Sequence, residues 1–307
     1  MRRIFVGADL FDGEQLIKDH ALLLEDGFVR ALVPIRERHR EGEVIELEGG
    51  TLSPGFIDVQ VNGGGGTLFN ENPTPDGLAK IAQAHRRFGT TALLPTVITD
   101  HPHILDQALG AIPHAQKDNR GILGIHVEGP FIDETKKGAH PADYIRALTD
   151  ADIRFLGERR AGSLLLTLAP NKVTPDQIKS LLRAGIHVSL GHSQATDHEA
   201  QAAFDAGAGA VTHLFNAMSQ CDARAPGLVG AALATPRVIC GLIADGHHVA
   251  PTALRAALAA KGPQGIALIS DAMPSAAGGP DHFTLQGRAV RRHNKMLTLE
   301  DGTLAGA

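Results

Sequence analysis

Residues 164–192 read LLLTLAPNKVTPDQIKSLLRAGIHVSLGH, and the fold is read outward from this stretch. An apolar run, Leu164–Ala169, gives way to an amphipathic segment, Thr174–Ala184, and then to a second apolar run, Ile186–Leu190. Thr174-Pro175 puts proline at the first helical position, where its missing N–H costs nothing. Gly185 follows the last helical turn, where a left-handed residue closes a helix. The unit is strand, helix, strand, and a polar residue, His192, stands just past its end.

The same rhythm runs in both directions from here. Apolar runs fall at Leu52–Val61, Thr91–Ile98, Gly121–Val127, Leu164–Ala169, Ile186–Leu190, Ala210–Leu214, Val238–Ala244 and Ile266–Ser270. Helical patterns lie between them, among them Asp76–Phe88, His103–Gln116, Thr196–Ala206 and Pro251–Ala260; Gly89 and Gly207 are further C-caps. Eight strand–helix alternations predict an α/β chain folded as a closed (β/α)8 TIM-type barrel over residues 51–307. A doubly wound open sheet fits the same alternation, because strand order is not written in it. Residues 1–50 differ. Arg3–Val6, Ala21–Leu24, Phe28–Val33 and Val44–Leu47 read as short strands, with turns at Asp12-Gly13, Asp26-Gly27 and Gly49-Gly50. They predict a small β domain, too thin to fold well alone.

Composition narrows the function. Of 307 residues, 29 are Lys or Arg and 34 Asp or Glu, a formal charge of −5, with one Tyr and no Trp. No nucleic-acid partner is expected of such a chain, and no membrane association, since no apolar stretch nears the roughly 20 residues a spanning helix needs. Two cysteines, Cys221 and Cys240, and the lack of a secretory pattern after Met1 predict a reducing, cytoplasmic setting. Histidine stands out, with 16 residues.

Position carries the chemistry. Barrel active sites form at the C-terminal ends of the strands. Here those ends hold Gln60-Val61-Asn62, Glu128, His192, His213, the pair Asp245 and His248, and Asp271. Glu128, His192 and His213 have the composition of a catalytic zinc site, three N/O ligands with one position left open. Asp271 ends an apolar strand. It reads either as a turn or N-cap residue or as a general base. Asn216-Ala217-Met218 reads as a helix start, whose N–H groups favour an anion. Gly63–Gly66 reads as a loop that lets backbone approach a ligand closely. Arg224 reads as a surface residue on a Gly/Pro-rich loop, Lys136-Lys137 as a solvated turn, and His140 lies on the loop after the third strand.

Taken in order, Pro54–Gly63, His126–Phe131, Lys136–His140, Gly191–Ser193, Thr212–Met218, Ala244–Val249, Ser270–Ala272 and Asp301–Gly306 resemble the N-acetylglucosamine-6-phosphate deacetylases of the amidohydrolase superfamily, over nearly the whole chain. The resemblance implies a metal-dependent barrel with a small β-sandwich, in a homodimer. It implies a hydrolase of carbohydrate and amino-sugar metabolism that removes the acetyl group of N-acetylglucosamine 6-phosphate, releasing glucosamine 6-phosphate and acetate. It makes Glu128, His192 and His213 the metal ligands and Asp271 the general acid/base. His140 would polarise the substrate carbonyl, and His248 would hold the sugar or its phosphate. Asn216, the Ala217 N–H and Arg224 would bind the phosphate, Arg224 reaching across from a partner subunit.

Two departures from the family pattern stand out. Many members carry His-x-His at the end of the first strand for a second metal. Gln60 and Asn62 stand there, and an amide is a poor ligand. One divalent ion per subunit is therefore expected, Zn2+ before Fe2+, Co2+ or Mn2+. Members also continue past Asp301–Gly306 with a last helix and strands. A chain stopping at Ala307 is expected to lack the helix over the eighth strand and the partner strands that complete a β-sandwich with residues 1–50. Two further readings follow: the galacto epimer as substrate, and a shortened, catalytically incomplete chain of the same fold.

Overall fold

The computed structural model describes residues 1–37 and 41–307. It divides into two compact units, Met1–Phe56 and Ile57–Ala307.

The first unit is built from β1 (Arg2–Val6), β2 (Asp9–Phe11), β3 (Leu16–Ile17), β4 (His20–Glu25), β5 (Phe28–Pro34), β6 (Glu43–Glu46) and β7 (Thr51–Leu52). One sheet has the order β5-β4-β1-β6 and a second the order β3-β2-β7. The β4–β5 hairpin turns at Asp26-Gly27, both with positive φ, the turn whose twist matches paired strands. Alternation along β1 and β4 buries Ile4, Val6, Ala21 and Leu23 against Val33.

The run Leu52–Val61 is not one strand. Thr51–Leu52 pairs with β2, and the next strand, β8, begins only at Phe56. Ser53-Pro54-Gly55 lies between them, and Pro54 has no N–H to offer a ladder.

The second unit continues with β8 (Phe56–Val61), the hairpin β9 (Gly63–Gly64) and β10 (Thr67–Leu68), α1 (Pro75–Arg86), β11 (Thr90–Ile98), α2 (Pro102–Asp118), β12 (Gly124–Glu128), α3 (Asp150–Arg159), β13 (Ser163–Leu168), α4 (Pro175–Arg183), β14 (Ile186–Leu190), α5 (Asp197–Asp205), β15 (Ala210–Val211), α6 (Gly227–Ala234), β16 (Ile239–Leu242), α7 (Pro251–Lys261) and β17 (Ile266–Leu268). Eight strands run parallel in sequential order from β8 to β17, which rules out the open doubly wound sheet, whose order reverses midway. The first and last strands meet: Asp271 N–H donates to the Gln60 carbonyl at 3.0 Å and Asn62 N–H to the Ala272 carbonyl at 2.9 Å. The buried Asp58 carboxylate spans the same seam, accepting from the backbone N–H of Gln60 and of Ser270, each at 3.1 Å. Burial pushes its pKa up, against those hydrogen bonds.

Local chemistry starts three of the helices. Thr149, Thr174 and Thr196 cap α3, α4 and α5 in reciprocal pairs with Asp152, Gln177 and Glu199. The helices cover an apolar core that includes Ile125, Leu166, Val188, Val211 and Leu242. Among the described residues, no α-helix follows β17. The chain instead forms an antiparallel meander, β18 (His282–Leu285), β19 (Arg288–His293) and β20 (Met296–Thr298). It turns at Gln286-Gly287 and Asn294-Lys295, all four with positive φ. Leu285, Val290 and Leu297 bury with Leu68, Met273, Leu299 and Ala305 in a second small core. Among the described residues, no helix is long and apolar enough to cross a membrane.

Candidate active site

A cavity of about 350 Å³ opens at the C-terminal ends of the barrel strands. Asn62, Glu128, His140, His192, His213, Asn216, Ala217, His248 and Asp271 all line it. Residues separated by up to 209 positions thus meet, because every strand delivers its end to one face of the barrel.

Glu128, the last residue of β12, is 3% exposed. Its Oε1 lies 3.0 Å from His192 Nε2 and 3.0 Å from His213 Nε2, and the two Nε2 atoms are 3.0 Å apart. Burial acts to raise the Glu128 pKa, but the two histidines outweigh it and hold the carboxyl well below its usual range. Burial acts to lower His213, and Glu128 more than reverses that. Three N/O donors converging at hydrogen-bond distance in a buried pocket, one anionic and two imidazoles, suit a divalent metal. A hydrogen bond fixes the orientation of the His192 ring. Its Nδ1–H donates to the Lys136 carbonyl at 2.9 Å, which leaves the Nε2 lone pair facing Glu128. Lys136 is therefore more than a solvated turn. His213 Nδ1 is buried without a hydrogen-bond partner among the described residues. Glu128, His140 and His192 also gather ligand atoms within 4.8 Å of one another. The set with His213 is the tighter one.

Asp271 lines the same cavity beside this group. Its Oδ1 accepts from Asn62 Nδ2 at 2.7 Å and Gln60 Nε2 at 3.1 Å, and Gln60 also reaches Glu128 Oε1 at 3.3 Å. The two amides thus tie the carboxylate to the end of β8. Burial, with the negative charge of Glu128 beside it, pushes the Asp271 pKa up to about 7. His192, His213, Ala217 and Asp271 all have φ between 33° and 50°. Left-handed backbone is costly for such residues and collects at functional sites.

His140 is buried, and its Nδ1 lies 2.8 Å from Thr99 Oγ1. Burial, with His192 beside it, pushes its pKa well below the usual imidazole value. His248 Nδ1–H donates to Asp245 Oδ2 at 2.7 Å, so its Nε2 is left as an acceptor. Burial acts to raise Asp245, but the N–H groups of His248 and His247 hold its pKa down.

A buried polar layer lies on the same strands. His126 Nδ1 meets Thr96 Oγ1 at 3.0 Å, its Nε2 meets Thr167 Oγ1 at 2.7 Å, and Thr212 joins Thr167 to Ser189 with two 2.6 Å bonds. Burial pushes the His126 pKa down to about 4, so the ring is neutral.

Two readings need correction, while the reading of Arg224 as a surface residue agrees with the structure. Asn216-Ala217-Met218 does not start a helix. Phe215 and Ala217 have φ of 79° and 50°, incompatible with a helical turn, and α6 begins at Gly227. Gly63–Gly66 does not line the cavity; a Cβ on Gly63 would meet the Thr67 carbonyl at 2.3 Å and one on Gly64 would meet His85 at 2.6 Å, so those two glycines serve packing. Arg224 is exposed on a turn closed by Asp222 and Ala225 and stands outside the cavity. Sequence reasoning also missed Thr99, Met273 and Leu285. Leu285 reaches the cavity from the meander, an element that the strand–helix rhythm gave no reason to expect.

The Amidohydrolase family model matches residues 51–277. The chain is 41% identical to an N-acetylgalactosamine-6-phosphate deacetylase of Shewanella sp. (strain ANA-3), over 98% of this chain and 77% of that protein. It is 32% identical to an N-acetylglucosamine-6-phosphate deacetylase of Haemophilus influenzae, over 100% of this chain and 81% of that one. The crystal structure of N-acetylglucosamine-6-phosphate deacetylase from Pasteurella multocida superposes with a TM-score of 0.96 at 34% identity, covering 100% of this chain and 81% of that one.

Proposed function

The chain belongs to the amidohydrolase family, with amino-sugar-6-phosphate deacetylases as its relatives, and from that premise we propose that it hydrolyses the acetamide of N-acetylglucosamine 6-phosphate to glucosamine 6-phosphate and acetate. The observation that carries this reading is the convergence of Glu128, His192 and His213 at 3.0 Å beside the amide-tethered Asp271. Glu128, His192 and His213 would hold one divalent ion, zinc in the first instance. When bound, the metal supplies Lewis acidity toward water and toward the amide carbonyl.

The chain's own residues do the rest. Both tethering amides use Asp271 Oδ1, which leaves Oδ2 to take a proton from the attacking water. Water oxygen adds to the acetamide carbon while His140 donates a hydrogen bond to the carbonyl oxygen as that atom gains negative charge. A donor of this kind contributes about 3 kcal/mol. Asp271 then returns its proton to the amide nitrogen, the C–N bond breaks, and acetate and the amine separate. His248 Nε2 accepts from a sugar hydroxyl. Asn216 and the Ala217 N–H face the phosphate, whose remote binding orients the amide. Arg224 is exposed in a single chain, which suits a reach into the cavity of a second subunit in a homodimer. Two unpaired cysteines suit a cytoplasmic enzyme.

The galacto epimer is a second reading. It is favoured by the name of the relative at 41% identity and of an Escherichia coli O157:H7 relative at 37%. Acetate release from both sugar phosphates by the zinc-loaded chain, beside Asp271→Asn, tests the proposal. Turnover of the gluco compound that vanishes in the variant is the expected result. Preference for the galacto compound selects the second reading. Metal uptake without turnover of either overturns both.

A further inference from the structure

We propose that Thr99 is a positioning residue that donates its hydroxyl proton to His140 Nδ1 and so fixes His140 as an Nε2–H donor facing the cavity, outside the metal's ligand set. The inference rests on the reading of His140 as the group that meets the amide carbonyl.

A ring nitrogen's role is set by what the other nitrogen faces. His192 shows one outcome. Its Nδ1 faces a carbonyl oxygen, which can only accept, so Nδ1 carries the proton and Nε2 presents a lone pair. His140 differs in one respect. Its Nδ1 faces a hydroxyl, which can donate or accept. The Thr99 hydroxyl has a single proton and two acceptors in reach, His140 Nδ1 at 2.8 Å and the Glu128 carbonyl at 3.4 Å. The first is close to the usual length and the second is near the outer limit. The 2.8 Å contact is a good hydrogen bond with either group donating, so the choice follows from the role: His140 as the carbonyl donor needs hydrogen on Nε2, which makes Nδ1 the acceptor and Thr99 the donor along the shorter contact. An Nε2–H can stabilise a developing oxyanion and cannot ligate a metal through that nitrogen. The alternative orientation would make His140 Nδ1–H, with an Nε2 lone pair suited to the looser set of Glu128, His140 and His192.

The surroundings hold the pair in place. Thr99 is 2% exposed and His140 3%. A Cβ on Gly129 would stand 2.1 Å from Thr99 Oγ1, so only glycine leaves room for the hydroxyl there. The meander grips both backbones: Gln286 Nε2 donates to the Thr99 carbonyl at 2.6 Å, and Arg288 donates to the carbonyl of Ala139, beside His140.

The test uses the full zinc-loaded chain. Nitrogen-15 spectra of labelled histidine, with His140 assigned by difference from His140→Gln, read the tautomer directly. The Nε2–H form is expected in the wild type. Thr99→Val keeps the shape and removes the hydroxyl; it should lower kcat about 10- to 100-fold with KM nearly unchanged, while Thr99→Ser restores turnover. An Nδ1–H signal for His140 in the wild type, or full kcat in Thr99→Val while His140→Gln is impaired, overturns the assignment. If His140→Gln turns over normally, the carbonyl-donor reading fails on its own, and the tautomer signal still decides the role of Thr99.

Discussion

Asn62 Nδ2 donates to Asp271 Oδ1 at 2.7 Å, joining the end of the first barrel strand to the end of the last. Asn62 is thus an amide that orients a carboxylate. Asn62 Oδ1 is meanwhile buried with no partner among the described residues, and Asn62 lines the cavity, so this acceptor is left for a ligand N–H or O–H. Asn62→Leu is expected to lower kcat about 10- to 100-fold while leaving one metal per chain. Steady-state kinetics with metal analysis on the same sample checks this. Unchanged kcat would reduce the contact to barrel closure.

Asp271→Asn keeps the shape of the side chain and removes the base. Turnover is expected to fall at least 100-fold, with zinc stoichiometry unchanged. Loss of zinc in the variant would instead make Asp271 a ligand.

The metal-free protein should show the cost of burying that carboxylate. Its folded pKa is raised from 3.8 to about 7. A raised acid favours folding while protonated, and that contribution is lost as pH rises from near 4 through 7. Metal-free wild type should therefore melt progressively below metal-free Asp271→Asn across this window, by a few degrees at pH 8. Melting curves that stay parallel from pH 5 to pH 8 would refute the burial argument.

Metal removal should destabilise the native fold by mass action, since the proposed ligands Glu128, His192 and His213 converge only in the folded chain. A chelator is expected to lower Tm by several degrees, reversibly on adding zinc. Glu128→Gln and His213→Ala should abolish both the metal content and the response. His140→Ala should keep them, and an equal loss there would move His140 into the ligand set.

Arg224→Ala should impair the phosphorylated sugar far more than N-acetylglucosamine itself, chiefly in KM. Mixing it with an Asp271→Asn chain tests the reach between subunits, because hybrid dimers would recover part of the lost activity. Equal losses on both sugars would make Arg224 structural.

Much of this architecture was legible without coordinates. Eight apolar runs separated by capped amphipathic stretches specify strands and helices, because a 2-residue and a 3.6-residue period demand different backbones. Capping at Thr174 and Thr196 is local chemistry, and local chemistry reads directly from neighbouring residues. The identity of Glu128, His192, His213 and Asp271 as polar ends of buried strands was also visible, since a charged residue ending an apolar run needs a partner. Tertiary structure alone decided who that partner is. The contact of Asn62 with Asp271 closes a loop of 209 residues, and no local pattern encodes such a pairing. The folding of 282–298 into a meander that supplies Leu285 to the cavity, and the placing of Thr99 against His140, depend likewise on which strand ends become neighbours once the barrel closes. Sequence periodicity states which face of each element is buried; only the closed ring of strands states what that face meets.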